Sequence, residues 1–347
     1  MMTVVLKQKK WLILAVAFAL VFPFLIPNNY YLHMMTISFI WMIAVYGLNL
    51  FAGYTGYLSL AHAGFFAIGA YTLAILTVKA GLHFWLSFLL SCLISCLIGL
   101  IIGLVALRTK EHFFAIYTLC VGYIIYLVID KWDSLTGGVR GFIGIPVPAN
   151  IGPISFQTPV SQYYLVLFFL LLVIFVMHRI IYSLAGRTYT AIRNSEDLAL
   201  AIGISTMKNK LTSFVLSVFF TSLAGALYAS FIRFLGPDIS YISVMFDLLT
   251  YLLVGGIGTM AGPVVGTLLI TFLSQQLQFL QDYRMLIFGP VLTLLVIFYP
   301  QGIVGGVIRW RARQAEKSSN RQAQTAHSAN HFVVARHSGN EKQVKEG

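Results

Sequence analysis

Apolar runs close to the thickness of a bilayer recur along almost the entire chain, interrupted only by short polar stretches. A spanning helix needs about 20 predominantly apolar residues, and runs of this kind read as transmembrane helices. Composition agrees: 59% of the 347 residues are hydrophobic and 10% are charged, where an ordinary soluble domain carries about 25% charged residues. The expected fold is an all-α polytopic membrane protein. About ten transmembrane helices are expected, near residues 11–26, 34–51, 57–78, 84–107, 112–130, 161–182, 211–233, 240–256, 262–280 and 284–303. Ten spans permit an inverted five-plus-five repeat, although no internal self-similarity asserts one.

The net charge of +12 raises the question of a nucleic-acid partner, and its distribution argues against one. Lys7, Lys9 and Lys10 precede the first apolar run, and Arg309, Arg311 and Arg313 follow the last. Alternating the spans from a cytoplasmic N-terminus leaves thirteen flanking lysines and arginines inside. Five fall outside: Lys79, Lys131, Arg140, Arg233 and Arg284. The positive-inside rule then puts both termini in the cytoplasm. KQKK before an apolar stretch resembles a signal peptide, with Ala17-Phe18-Ala19 as a mimic of its cleavage site. Trp11 to Val16 is too short for a signal core of roughly 7–15 residues, so an uncleaved first helix is expected. Cys92, Cys96 and Cys120 lie within apolar runs without metal-ligand or disulfide spacing, and read as small buried residues.

Residues 1–308 form the expected transmembrane domain, and 309–347 a polar cytoplasmic tail whose composition predicts disorder. His327, His331 and His337 in that tail read as solvated rather than metal-binding.

Within the membrane part, one stretch does more than fill a bilayer. GLNLFAGYTGYLSLAHAGFFAIGAY, Gly47 to Tyr71, combines glycines with Asn49, His62 and several hydroxyls. Irregular or polar backbone at membrane depth is tolerated only where it is buried in protein or lines a cavity. Gly53, Gly56, Ser59, His62, Gly69 and Tyr71 are therefore candidates for a translocation path. A second glycine-rich stretch, GGIGTMAGPVVG, adds Gly255, Gly256 and Gly258, and Asp247 lies shortly before it. A charge at the bilayer centre costs about 2.5–3.5 kcal/mol even on insertion-based scales, so Asp247 faces the bundle, is paired or is protonated. Gate residue and structural hydrogen bond are both open for Asp247, as packing and path-lining are for His62. The second glycine stretch lacks the Gly-Lys-Ser/Thr ending of a phosphate-binding loop. HExxH, GxSxG and paired carboxylates are also missing, so no enzyme site is expected.

The loop near 183–210 reads RTYTAIRNSEDLALAIGISTMKNK. Asn194 or Ser195 suits a helix N-cap, Glu196 and Asp197 suit the first turn, and Gly203 suits the C-terminal cap. Leu198, Ala201 and Ile202 fall along one side at helical spacing. A short capped helix with apolar side chains outside the membrane reads as a docking element for a cytoplasmic partner.

That loop is similar to the coupling loop of ABC importer permeases, in which an acidic-plus-alanine sequence followed by glycine contacts an ATPase subunit. The matching residues are Arg193, Glu196, Asp197, Ala199, Gly203 and Ile204. Further blocks narrow the resemblance to branched-chain amino acid ABC transporter permeases of the LivM type: Gly56 to Phe66 with Gly69-Ala70-Tyr71, Leu107 to Lys110 with Phe113 to Leu119, Thr136 to Pro146, Gly255 to Gly266, and Pro300 to Gly305. The match runs through about residues 40–305 in the family's order. Ala61, Glu111-His112 and Val139-Arg140 depart from the pattern. The last pair touches the outer loop and so bears on substrate identity or receptor fit.

The resemblance implies a multi-pass subunit of the bacterial inner membrane surrounded by lipid. Its implied partners are a second permease subunit, two ATP-binding cassette subunits and an extracytoplasmic substrate-binding protein. No cofactor is implied in this chain, with ATP and Mg on the ATPase subunits, and the implied cargo is a branched-chain amino acid. Related permeases carry urea or amides. An ion-coupled secondary transporter or channel for small solutes, using Asp247 and His62, is the reading from a different class.

Overall fold

The computed structural model describes residues 16–25, 28–109, 111–150, 152, 155–276 and 302–306. Twelve helices are named here in chain order. A short α1 (Val16–Leu25) precedes α2 (Asn29–Leu48), α3 (His62–Ala74), α4 (Phe84–Ala106), α5 (Glu111–Lys131) and α6 (Asp133–Thr136). Then come α7 (Pro159–Ile181), α8 (Leu184–Asn194), α9 (Glu196–Ala201), α10 (Thr206–Ile232), α11 (Ile242–Gly255) and α12 (Gly262–Gln276). Two helices pass into wider π-helical turns, α2 through Asn49–Thr55 and α3 through Ile75–Lys79. Phe142–Ile143 and Phe234–Leu235 form a two-stranded antiparallel ribbon.

Among the described residues six helices are long and apolar enough to cross a membrane: Asn29–Thr55, His62–Lys79, Phe84–Ala106, His112–Lys131, Pro159–Ile181 and Thr206–Ile232. They account for part of the expected ten. Within the expected spans at 240–256 and 262–280 lie α11, of 14 residues, and α12, which runs to Gln276 at the edge of the described residues. At 1.5 Å per residue α11 is about 21 Å long, short of a hydrocarbon core of about 30 Å. Residues 11–15 and 26 of the first expected span, 277–280 of the ninth, all of 284–303 except its last two residues, and the tail 309–347 lie outside the described residues.

α10 is the packing axis, lying against α2, α3 and α4. Small residues permit this closeness. A Cβ added to Gly47 of α2 would sit 2.7 Å from the Ser217 carbonyl, and one on Gly69 of α3 would sit 2.7 Å from the Ser222 Cα. In lipid such close backbone contact replaces the hydrophobic effect as the drive for helix association. α2 is 83% buried over its most apolar window and α10 67%, while α4, α5 and α7 are 33%, 22% and 28% buried. The latter three therefore present apolar outer faces, such as Leu89, Leu93 and Leu97 on α4 and Phe168 and Phe175 on α7. α1 is held on α7 by hydrogen bonds from the Tyr163 and Tyr164 hydroxyls to the Ala19 and Leu20 carbonyls, at 2.7 and 2.9 Å.

A candidate coupling and translocation site

Local sequence builds α9 almost unaided. Ser195 is extended, ends α8 and accepts a hydrogen bond from the Leu198 N–H on its side chain. At the other end Gly203 adopts φ +85°. Its N–H bonds to the Leu200 carbonyl and the Ile204 N–H to the Ala199 carbonyl, both at 3.0 Å. This pair is the Schellman closure that a left-handed glycine allows. Ala199 faces inward and is buried, whereas Leu198 and Ile202 are 65% and 68% exposed. α9 is thus seated on the bundle by its small residue, with its large apolar residues outward.

Glu196 carries the seat. Its carboxylate accepts from the buried Lys210 ammonium at 2.6 Å and from the Tyr57 hydroxyl. Lys210 also donates to the Tyr57 oxygen at 3.1 Å and lies 4.6 Å from the centre of its ring. Burial alone raises a carboxyl pKa, but hydrogen bonds from Lys210, Tyr57 and Thr206, with the Lys210 charge, outweigh it and hold Glu196 below its ordinary value. The latch joins α9, the start of α10 and the turn after α2.

Arg193, at the end of α8, reaches the glycine-rich interior. Its guanidinium donates to the Gly53 carbonyl in the π-helical turn. A Cβ on Gly56, whose φ is +88°, would lie 2.9 Å from Arg193 Cγ, and one on Gly258 2.5 Å from Nη1. Two expected coupling residues, Arg193 and Glu196, therefore meet three expected path glycines or their immediate neighbour Tyr57.

α11 and α12 form a hairpin whose tip, 256–261, enters the same site. Asn49 is fully buried; its Nδ2 donates to the Thr259 carbonyl at 2.9 Å, and its Oδ1 accepts from the Gly258 N–H at 2.8 Å. The Tyr46 hydroxyl donates to the Met260 carbonyl at 2.8 Å. Gly255 lets the two arms close, since a Cβ there would collide with Gly262 and lie 3.0 Å from the Gly266 nitrogen. Gly256 turns the chain with φ +120°.

Other expected path residues lie apart from this cluster. Ser59 is buried and accepts from the Ala61 N–H at 3.4 Å. His62 is enclosed at the start of α3, with Nε2 hydrogen-bonded to Ser217 and its ring edge-on to Phe65 and Phe214. Gly69 is a packing contact between α3 and α10. Tyr71 lies at the opposite end of the bundle, 3.5 Å from the Leu235 carbonyl. Asp247 is half-buried midway along α11 and takes part in an interaction with its surroundings. Asp197 is exposed on α9 and Ile204 half-buried behind it. Among the described residues no three His, Cys, Asp or Glu side chains converge on a common point.

Sequence reasoning missed Tyr57 and Lys210 as latch partners and Tyr46 and Asn49 as hairpin anchors. Asn49 gave a signal as an amide in an apolar run. Lys210 was legible only as a cytoplasmic positive charge.

The comparisons with known proteins come down on one family. The model of the branched-chain amino acid transport system / permease component matches residues 30–297. The high-affinity branched-chain amino acid transport system permease protein LivM of Escherichia coli K12 is 28% identical over 86% of this chain and 75% of its own length. Its Salmonella typhimurium counterpart is 29% identical with the same coverage. The LivH permease protein of Escherichia coli K12 is 26% identical over 53% of this chain and 62% of its own. No solved structure gives a significant match.

Proposed function

The chain belongs to the branched-chain amino acid transport permease family, and from that premise we propose that it is the membrane-spanning subunit of an ATP-driven ABC importer for branched-chain or related hydrophobic amino acids. The observation that carries this reading is a continuous path of contacts from an exposed helix to the buried glycine backbone. Leu198 and Ile202 of α9 face out, Glu196 is latched to Tyr57 and Lys210, and Arg193 is bonded to Gly53.

Nucleotide-driven closure of two ATPase subunits would act on α9 through its outer face. α8 and α9 would carry the displacement through Arg193 to the π-helical turn and the hairpin tip at Gly258. Hydrogen bonds from Asn49 make α2 and the hairpin move together. Alternating access follows when ATP and the loaded binding protein stabilise different arrangements of this unit, since a ligand shifts an equilibrium only by its differential affinity. In this reading ATP hydrolysis belongs to the partner subunits, a second permease completes the pathway, and a binding protein docks at the end bearing the 131–158 connection. Both termini lie in the cytoplasm of a bacterial inner-membrane protein, with residues 1–308 as permease domain and 309–347 as tail. An ion-coupled carrier would leave the outward apolar residues of α9 without a purpose.

A mild-detergent purification of the tagged chain from its native membrane tests this. Two ATPases and a second permease are expected to copurify, and the reconstituted complex is expected to take up leucine only with ATP and binding protein. Uptake driven by an ion gradient without ATPases would overturn the reading.

A further inference from the structure

Resting on that reading, we propose that a cavity at the end of the bundle opposite α9 receives the amino acid, with Arg233 binding its carboxylate. The cavity measures about 300 Å³ and lies between the starts of α2 and α7 and the end of α10, at the lower end of the roughly 300–1,000 Å³ of small-molecule pockets.

Arg233 is the one formally charged residue among the described residues that line it, apart from a histidine. Among the described residues no carboxylate lies within ion-pair distance of it. Its backbone is unusual as well. With φ +64° it is the one non-glycine in the left-handed region among the described residues, and it caps α10 by bonding to the Ala229 carbonyl. Glycine closes such a turn without strain, so a cap alone does not call for an arginine. Strained backbone of this kind gathers at functional sites.

The walls complement the rest of a branched-chain amino acid. Leu32 and Phe231 supply apolar surface. The Gln162 amide nitrogen donates to the Phe156 carbonyl at 3.0 Å, which leaves its oxygen as an acceptor for an ammonium group. The positive ends of α2 and α7, at Asn29 and Pro159, add to the field that favours a carboxylate.

The test uses the complete complex in nanodiscs without binding protein, with saturation-transfer NMR on leucine and on leucinamide, which lacks the carboxylate. Arg233→Gly removes the guanidinium and keeps the turn, and Arg233→Lys restores a cation. Leucine is expected to contact the wild type, at least tenfold more weakly in Arg233→Gly, with partial recovery in Arg233→Lys. Leucinamide is expected to bind the wild type at least tenfold more weakly than leucine. Absence of contact in the wild type, equal contact in Arg233→Gly, or equal binding of leucinamide would overturn the site. So would loss of binding-protein affinity in Arg233→Gly with leucine contact unchanged, which would assign the cavity to a carboxylate of that protein. ATP-driven leucine uptake by the wild type separates the two levels: its absence sinks the functional reading, while its presence with any overturning result sinks the cavity alone.

Discussion

Glu196 performs two tasks that a sequence reading merges. A carboxylate in the first turn favours the helix, as expected from its position after Ser195. In the folded protein it also pairs with Lys210 and Tyr57, 14 and 139 positions away. Hydrogen bonds to charged groups contribute about 1.5–3 kcal/mol, and the quarter exposure of the Glu196 side chain sets the expected loss in Glu196→Gln toward the lower end. The pH dependence has a definite sign. Because the folded pKa is depressed, the contribution is complete above the unfolded value of about 4.3 and disappears as pH falls through the lower folded value. Thermal unfolding in detergent is therefore expected to show a constant gap between wild type and Glu196→Gln from neutral pH down to about 5, closing below about 4.3. A gap that closed near neutrality would contradict the latch.

Elements differ in how much of their placement is written locally. α9 is legible because its cap, first turn and terminating glycine lie within nine consecutive residues, Ser195 to Gly203. The hairpin of α11 and α12 is not. Hydropathy registers two apolar runs, but the turn between them is fixed by Asn49, 209 positions from Gly258. Glycines at 255, 262 and 266 let the two arms pack backbone to backbone. Asn49→Ala would leave the Gly258 N–H and the Thr259 carbonyl unpaired, at about 1–3 kcal/mol for each buried group, and a lowered thermal midpoint is the expected result. Asn49→Asp keeps an acceptor for Gly258 but sets a carboxylate oxygen against the Thr259 carbonyl at a fully buried position, where an unpaired charge is costly, and should lower the midpoint at least as far as the alanine. Gly255→Val would force the hairpin open, with an overpacking cost of about 1–3 kcal/mol or more. On α9 the opposite pattern is expected. Leu198→Asp with Ile202→Asp should leave the thermal midpoint near wild type, because both side chains already face out, yet reduce ATPase copurification at least tenfold, as loss of an apolar hot spot does.

At the scale of the whole molecule, the two ends of the bundle are chemically distinct. One carries α8, α9 and the hairpin tip; the other carries the 142–143 and 234–235 ribbon and the cavity. Single cysteines at Asp197 and at Val139, the latter 70% exposed, should be labelled by an impermeant thiol reagent from opposite sides of sealed vesicles. Labelling from the same side would overturn the assigned topology. α10 connects these ends as an uninterrupted helix of 27 residues, with Lys210 near its beginning and Arg233 just past its end, roughly 35 Å apart at helical rise. Reciprocity of binding free energies then has a physical carrier. If occupancy beside Arg233 changes how firmly an ATPase grips α9 by some factor, ATPase engagement must alter amino-acid affinity at the far end by that same factor, and a titration of either site would report on the other.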